Sequence, residues 1–390
     1  MRVLTPLPPS RSGIAHYAAT LFGADAFPEA RFVVADPAQV SERAALEASA
    51  APGAEPNEDT SLLQLGNNPH HAFVFEAAMR GGGVLDLHDF SVHHLLTDLT
   101  LARGDEAAYV AYLEEAYGAA GRRVGLNRLR GRFHPRLEFL LPANGPLVRR
   151  SRAVIVHSAW AAAKLRTAHP GKRITRIPHF CLAPEEDPLD PERIRATKRA
   201  MGHDPNTVLV LAAGFVTPPK QVPATIRAVE AAAAAGARVE LVIAGEMQDP
   251  ATRAAIKASP IRSRIRVTGY LTDARLDQYM LASDIVPVLR FPSAGESSGI
   301  VCRALGLGKV VVVPAYMGFT EWPSDTCTRL PLGENVPARL GEVVRAYAEM
   351  PAAFAAQRAA ARAYALGEGS LGAVRDLYRR ALTNERTKNE

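Results

Sequence analysis

The sequence predicts an α/β protein of two domains, each an open, doubly wound parallel sheet covered by helices on both faces. Three observations carry this expectation. The chain has 390 residues, whereas a single core organises about 100–200. Short β-branched runs recur along it, each followed by Gly, Pro or His and then an alanine-rich stretch, which is the punctuation of repeated βα units. Such units give parallel sheets buried on both faces. Finally, the segment APEEDPLDPERI at 183–194 carries three prolines and five acids and breaks both periodicities, as a connector between domains does.

Taken in order, the expected strands of the first half are Arg2–Leu4, Arg31–Val34, Leu62–Leu65, Gly83–Leu87 and Ala153–Val156. Those of the second half are Thr207–Leu211, Val239–Ile243, Arg264–Thr268, Ile285–Val288 and Val310–Val313. The domains are expected at 1–182 and 205–365, joined by a linker at 183–204. Residues from Ala352 to about Thr383 read as two terminal helices with a Gly-Glu-Gly break at 367–369, and the tail 384–390 reads as frayed.

Composition narrows the class. The chain is 47% apolar and 22% charged, as ordinary globular proteins are, and no apolar run reaches the roughly 18–20 residues that span a bilayer. The N-terminus lacks the apolar core of a secretory signal. Cys181, Cys302 and Cys327 lie far apart in sequence without a CxxC pair, which predicts reduced thiols in a cytoplasmic protein. The net charge is +6, and nine arginines fall between Gly121 and Arg152 against the single acid Glu138. With the interleaved Val124, Leu126, Leu129, Phe133, Leu137, Phe139 and Leu140, this stretch reads either as a solvated surface or as a peripheral seat for anionic lipid head groups or a phosphate-bearing acceptor. Nucleic acid is not expected, since no helix-turn-helix, zinc-finger or RNP-type signature is present.

Doubly wound sheets bind ligands beyond the carboxyl ends of their strands, so the loops there hold the candidate site residues. After the first strand, PLPPSRSGIAHY places Ser12 and Gly13 at a helix N-terminus, which favours an anion such as a diphosphate; a plain turn explains the glycine equally. After the fourth strand come His88 and Asp89, with His93 and His94 beyond. An imidazole there can bond sugar hydroxyls or be satisfied by nearby backbone. No metal is expected, because adjacent His93 and His94 point to different helix faces and no HExxH-like spacing occurs. The second domain opens with VLVLAAGFVTPPKQ, in which Gly214 turns toward Lys220, a point charge suited to a diphosphate or else a solvated lysine. Gly295-Glu296-Ser297-Ser298-Gly299 then leads into a helix. Glu296 suits sugar hydroxyls, and the N–H groups of Ser298, Gly299 and Ile300 suit phosphate oxygens. A serine N-cap with Glu296 complementing the dipole is the plainer reading.

These residues, with LGNNPHH at 65–71, LHDFSVHH at 87–94, VIVHS at 154–158, RIPHF at 176–180, AGE at 244–246, VTGYL at 267–271, GESSGIVCRAL at 295–305 and GFTEWP at 318–323, resemble family 4 of the retaining glycosyltransferases across nearly the whole chain. The resemblance implies the GT-B architecture, two Rossmann-like domains facing a central cleft, with a final helix (366–390) that crosses back to the first. It also implies that Gly13 approaches the donor diphosphate, His88 lies beside the transferred sugar, Lys220 binds the diphosphate and Glu296 the sugar hydroxyls. Val267, Gly269 and Tyr270 would frame the nucleobase. No cofactor is implied beyond the nucleotide-sugar donor; the acceptor would be a glycan or lipid-linked hydroxyl.

Two positions depart from the family pattern. Phe215 stands where an arginine usually accompanies the lysine, and Ala304 stands where a second glutamate usually binds the ribose. Either the nucleotide is held differently, or the donor is unusual, or activity is lost. The function expected is therefore transfer of a hexose-type sugar with retention. The alternatives are a non-catalytic scaffold of the same fold and, behind it, a nucleotide-sugar epimerase.

Overall fold

The structure is a computed structural model that describes residues 1–23, 25–35, 48–50 and 61–386. Its strands are β1 (Arg2–Leu4), β2 (Arg31–Val34), β3 (Ala48–Ala50), β4 (Ser61–Leu65), β5 (Val84–Leu87), β6 (Ala153–Val156), β7 (Ile174–Arg176), β8 (Val208–Ala213), β9 (Val239–Ala244), β10 (Ile265–Gly269), β11 (Ile285–Pro287), β12 (Val310–Pro314) and β13 (Cys327–Leu330). They form a seven-stranded sheet in the order β3-β2-β1-β4-β5-β6-β7 and a six-stranded sheet in the order β10-β9-β8-β11-β12-β13. The named strand pairs in both sheets are parallel.

The central strands are continuous apolar runs because both faces are covered. In β8, Leu209, Leu211 and Ala213 pack with Val301, Leu305 and Trp322, while Val208, Val210 and Ala212 pack with Ile226, Val229 and Leu340 on the opposite face. This is the alternation that a pleated strand imposes. In the first sheet, Leu63, Leu65, Leu85, Leu87, Val154 and Val156 join one core with Leu95, Leu113 and Leu147.

Three strands went unanticipated, β3, β7 and β13, and each lies at an edge of its sheet. An edge strand pairs on one side only and needs no continuous apolar run; the sequences ASA, ITR and CTRL carry little signal.

The chain divides into two compact units. The first comprises Met1–Pro178, Ala294–Ser297 and Arg375–Glu390; the second comprises His179–Ser293 and Ser298–Val374. Residues 183–204, expected as a linker, are folded into the second unit. Pro191–Ala200 is a helix whose N-cap Asp190 accepts from Glu192 N, with proline in the first turn where its missing N–H costs nothing. From this helix, buried Lys198 donates to Asp284 Oδ2 at 2.6 Å. The terminal helices are Ala355–Leu366 and Leu371–Arg386; of the tail expected to fray, 387–390 lie outside the described residues.

Strand order reverses between β1 and β4 in the first sheet and between β8 and β11 in the second. At such a switch point the connections leave the sheet in opposite directions, which opens a crevice at the carboxyl ends of the two strands. The loops after β1, β4, β8 and β11 are therefore where ligands are to be sought.

Candidate functional site

In the second unit, β8 runs out into Gly214, whose φ of +91° suits glycine. A Cβ built there would lie 2.2 Å from Lys220 Nζ and 3.9 Å from Ile300 Cγ1. The missing side chain is thus what lets the lysine head lie across the strand end. A short turn, Pro218–Lys220, carries the lysine back, and its Nζ donates to the Ala213 carbonyl at 2.6 Å. The helix Gly299–Gly306 begins at the same end of the sheet. Ser298 caps it, its hydroxyl accepting from Val301 N at 3.4 Å. Gly214, Lys220, Ile300 and the first turn of this helix are thereby brought together. An ammonium beside open helix N–H groups is a seat for anionic oxygens.

Val267 and Tyr270, at the end of β10, are 45% and 47% exposed, a large apolar exposure for neighbouring positions. Gly269 between them has φ +70° and follows an irregularity in strand register. The ring of Phe215 lies 6.1 Å from that of Tyr270. Phe215 thus extends this aromatic surface at the position where the resemblance implies an arginine. Ala304 is fully buried in the core of the second unit, and Arg303 beside it is bound to Asp273 and Asp277 at 2.9 and 2.7 Å.

The preceding residues, Ala294–Ser297, group with the first unit. Ser91 N donates to the Ala294 carbonyl at 2.7 Å, and Ser297 Oγ donates to the His157 carbonyl at 3.4 Å. Gly295, with φ +77°, is obligatory, since a Cβ would overlap Phe90 Cβ at 2.5 Å and Trp160 at 2.9 Å. Glu296 is buried, 8% exposed.

The first unit places Ser12 as N-cap of the helix Gly13–Leu21, accepting from Ile14 N and lying 3.2 Å from His71 Nε2. Gly13 is exposed, with no atom within 4 Å of a built Cβ, so this turn stays open to a ligand. His71 Nδ1 donates to the Gln64 carbonyl at 3.0 Å, and burial lowers its pKa to about 3. Gly66 is packed so closely that a Cβ would meet Ile14 at 2.3 Å. Asn67 ties the same loop to the helix His93–Leu99, its Oδ1 accepting from Leu95 N at 2.9 Å.

His88 leaves the carboxyl end of β5 two residues after Asp86, and so shares its face of the strand. Asp86 is the register partner of Gln64 in β4, and Leu87 that of Val156 in β6, so His88 and His157 leave adjacent strands at the same level. Asp86 Oδ2 accepts from Tyr378 OH at 2.7 Å and Gln64 Nε2 at 3.0 Å; His88 Nε2 lies 3.5 Å from it. Asp86 Oδ1 lies 3.3 Å from His157 Nε2. Burial presses the Asp86 carboxyl upward, but the two histidines outweigh it and hold it well below the ordinary carboxylate range. His88 is lowered by burial and by His157, against the pull of Asp86. Tyr17 OH and Tyr378 OH are 3.2 Å apart. Among the described residues, Asp86, His88 and His157 form the one group whose ligand atoms all converge within 4.8 Å as a metal ion would need.

The two histidines further along the same loop and helix bond within the protein. His93 bonds the Leu141 carbonyl and Tyr109 OH at 2.8 and 2.7 Å, and His94 lies 3.2 Å from Glu138. Sequence reasoning missed Asp86, His157, Gln64 and Tyr378. The available signal was a polar residue within each of two otherwise apolar strands, SLLQL and VLDL. The basic segment is partly consumed internally: Arg122 pairs with Glu114, Arg128 with Glu138 while stacking 4.3 Å over Phe133, and Arg149 and Arg150 with Glu115. No described helix is long and apolar enough to cross a membrane. The three cysteines, distant in sequence, are free, buried and joined in one core cluster.

Residues 206–349 match the model of the family described as Glycosyl transferases group 1. No curated protein matches the chain in sequence. Among solved structures the chain is similar to HepE from Anabaena in complex with UDP-glucose, at 14% identity and TM-score 0.63, covering 98% of this chain and 99% of that one. It is also similar to the sucrose-phosphate synthase of Thermosynechococcus elongatus, at 14% identity and TM-score 0.66 over 98% and 99% of the two chains. A third is WaaG, a glycosyltransferase involved in lipopolysaccharide biosynthesis, at 14% identity and TM-score 0.63 over 98% of each. The chain thus has the fold of these structures, the two parallel, doubly wound sheets of the GT-B architecture, and in residues 206–349 it carries the sequence pattern of Glycosyl transferases group 1.

Proposed function

We propose that this chain is a glycosyltransferase that moves a hexose-type sugar from a nucleotide-diphosphate sugar to a hydroxyl acceptor, with retention at the anomeric carbon. The observation that carries the reading is the cationic seat at the switch point of the second sheet, where Lys220, Gly214 and the Ser298-capped helix meet. In sugar transfer the bond to the diphosphate breaks as positive charge builds on the sugar ring, so stabilising the departing oxygens is the largest task. Lys220 and the N–H groups of Gly299 and Ile300 supply fixed positive charge for it. No metal cation is then required for this step, and no cofactor beyond the donor. The exposed faces of Val267 and Tyr270, extended by Phe215, suit a planar base. The HepE complexes contain UDP and UDP-glucose, which makes uridine nucleotides the first donors to test.

The remaining roles follow the family resemblance. Gly13 offers backbone N–H to the diphosphate, Glu296 and Ser297 serve the sugar, and His88 bonds its hydroxyls. Since Gln64 Nε2 donates toward His88 Nε2 at 3.4 Å, the ring presents Nδ1–H to the substrate. The acceptor is a glycan or lipid-linked hydroxyl, and Leu140, 69% exposed among arginines of the basic segment, favours peripheral contact with an anionic membrane. The second reading is a non-catalytic scaffold of the same fold, favoured by the buried Ala304 that leaves no carboxylate for the ribose. Calorimetry with UDP, GDP, ADP and their sugars, on wild type and Glu296→Ala, separates the two. Binding of one nucleotide sugar, weakened by the substitution, is the expected result; binding of none supports the scaffold.

A further inference from the structure

We propose that a cavity at the amino end of the second sheet binds a small organic phosphate that carries hydroxyl groups, of the size of a hexose phosphate, at a site separate from the donor seat. The cavity measures about 420 Å³, within the roughly 300–1,000 Å³ of small-molecule sites. It forms where the helix Pro191–Ala200 and the residues entering β8 and β11 meet the last turn of the helix Val336–Glu349 and the first turn of Ala355–Leu366. Its most buried lining is charged. Lys198 is 4% exposed and Asp284 8%, and the ammonium donates to Asp284 Oδ2 at 2.6 Å and to the Thr207 carbonyl at 2.9 Å. The same Oδ2 accepts from Leu209 N at 2.7 Å.

This pairing leaves other polar groups of the lining without a full set of partners. Asp284 Oδ1 has one bond among the described residues, a marginal 3.5 Å from Tyr347 OH, so a buried carboxylate oxygen keeps capacity to accept. Arg358 donates Nε–H to the Gly308 carbonyl at 3.0 Å, and neither of its amino groups is bonded among the described residues. Arg195 has only Glu192, 3.6 Å away, and that carboxylate is held at 2.6 Å by Arg199. Three cations and one carboxylate line the cavity; since the carboxylate is matched to Lys198, the two guanidiniums carry charge that the lining does not balance. Their planar forks suit phosphate oxygens, while Asp284 Oδ1 suits a hydroxyl donor, and Leu189 and Ile194 give a carbon skeleton an apolar wall. Inorganic phosphate would meet the arginines alone and leave Oδ1 as it is. From this cavity β8 runs six residues toward Gly214, roughly 20 Å, so an occupant lies apart from Lys220.

The site stands on the second unit alone and does not depend on the transfer reading. The test is isothermal titration calorimetry of the full-length chain with glucose 6-phosphate, mannose 6-phosphate, fructose 6-phosphate and glycerol 3-phosphate, beside glucose and inorganic phosphate. Expected is one molecule per chain for at least one of the four organic phosphates, with glucose and inorganic phosphate at least about 10-fold weaker. Arg358→Ala should weaken that binding about 10–100-fold, as loss of a charged hydrogen bond does, and Lys220→Ala should leave it unchanged. Arg195 is exposed, so Arg195→Ala, expected to cost about 3–10-fold, keeps the test decisive should Arg358→Ala disturb the fold. No binding by any of the four below about 5 mM, in a chain folded by circular dichroism, overturns the proposal. So do an affinity that survives both arginine substitutions, inorganic phosphate that binds as tightly as the organic phosphates, and binding lost in Lys220→Ala, which would put the ligand in the donor seat.

Discussion

Replacing Tyr378 by phenylalanine removes one oxygen from the centre of the first unit and leaves the ring in place. The hydroxyl donates to Asp86 Oδ2 at 2.7 Å and lies 3.2 Å from Tyr17 OH, while the ring packs edge-on against Phe22 at 5.6 Å. A bond to an ionised, buried carboxylate is worth roughly 1.5–3 kcal/mol, and a neutral one about 1 kcal/mol. The expected loss is therefore about 2.5–4 kcal/mol. For a domain of about 150–250 residues each kcal/mol moves the midpoint by roughly 2–4 °C, which gives a fall in Tm of about 5–15 °C. Differential scanning calorimetry of Tyr378→Phe, Tyr17→Phe and the double variant reads both terms. Tyr17→Phe should cost only the smaller one, and the double variant should fall short of the sum by about 1 kcal/mol, the coupling expected of touching groups. A Tm for Tyr378→Phe within about 1 °C of wild type would refute the reasoning, since it would mean that Asp86 does not depend on this hydroxyl.

Lys220→Ala should lower turnover about 10²–10³-fold, as loss of other preorganised charge stabilisers does; near-normal turnover in a coupled assay of nucleotide release would remove Lys220 from its assigned role. Gly214→Ala should reproduce most of that loss, because the new methyl takes the space of Lys220 Nζ; its cost in stability, about 1–2 kcal/mol of backbone strain, is measurable by urea titration. His71 and His93 are held neutral by burial, with pKa about 3 and about 4 against an ordinary 6.5. As the pH falls the unfolded chain takes up protons first, so stability complete above 6.5 declines through the window from 6.5 to about 4 for His93 and about 3 for His71. The urea midpoint should be lower at pH 5 than at pH 7.5 by the equivalent of roughly 4 kcal/mol, at about 1.4 kcal/mol per pH unit per group; an unchanged or higher midpoint would contradict the assignment.

The interior strands were readable because a parallel strand buried on both faces must be apolar throughout, as VLVLAA and VVVVP are. Edge strands escape that requirement, and β3, β7 and β13 were invisible for that reason. The stretch 183–204 read as an interdomain linker since its helix exposes most of its surface, yet Lys198 anchors it to Asp284 from ten residues before the next strand begins. Candidate residues standing just beyond strand ends, Gly214, Lys220 and Ser298 to Ile300, were legible from position alone. The Asp86 group was not, because its members come from three adjacent strands or their ends and from the last helix. Pairing register, which no local pattern encodes, brings them together. The basic segment shows the opposite failure: its charge was plain, but the acids that neutralise part of it, Glu114 and Glu115, lie outside the arginine run.

The shared burial of Cys181, Cys302 and Cys327 in the core of the second unit has a practical consequence. The hydrogen bond with Cys181, and then burial, hold the Cys302 proton firmly, and burial raises Cys327 to about 11, so these two thiols form little thiolate in the folded unit, and all three are buried away from reagent. Alkylation must wait for the core to open. The rate at which a small electrophile labels the native chain therefore reports the frequency of opening in this unit. Its slowing on addition of a donor nucleotide would measure binding in a form that needs neither a chromophore on the substrate nor turnover.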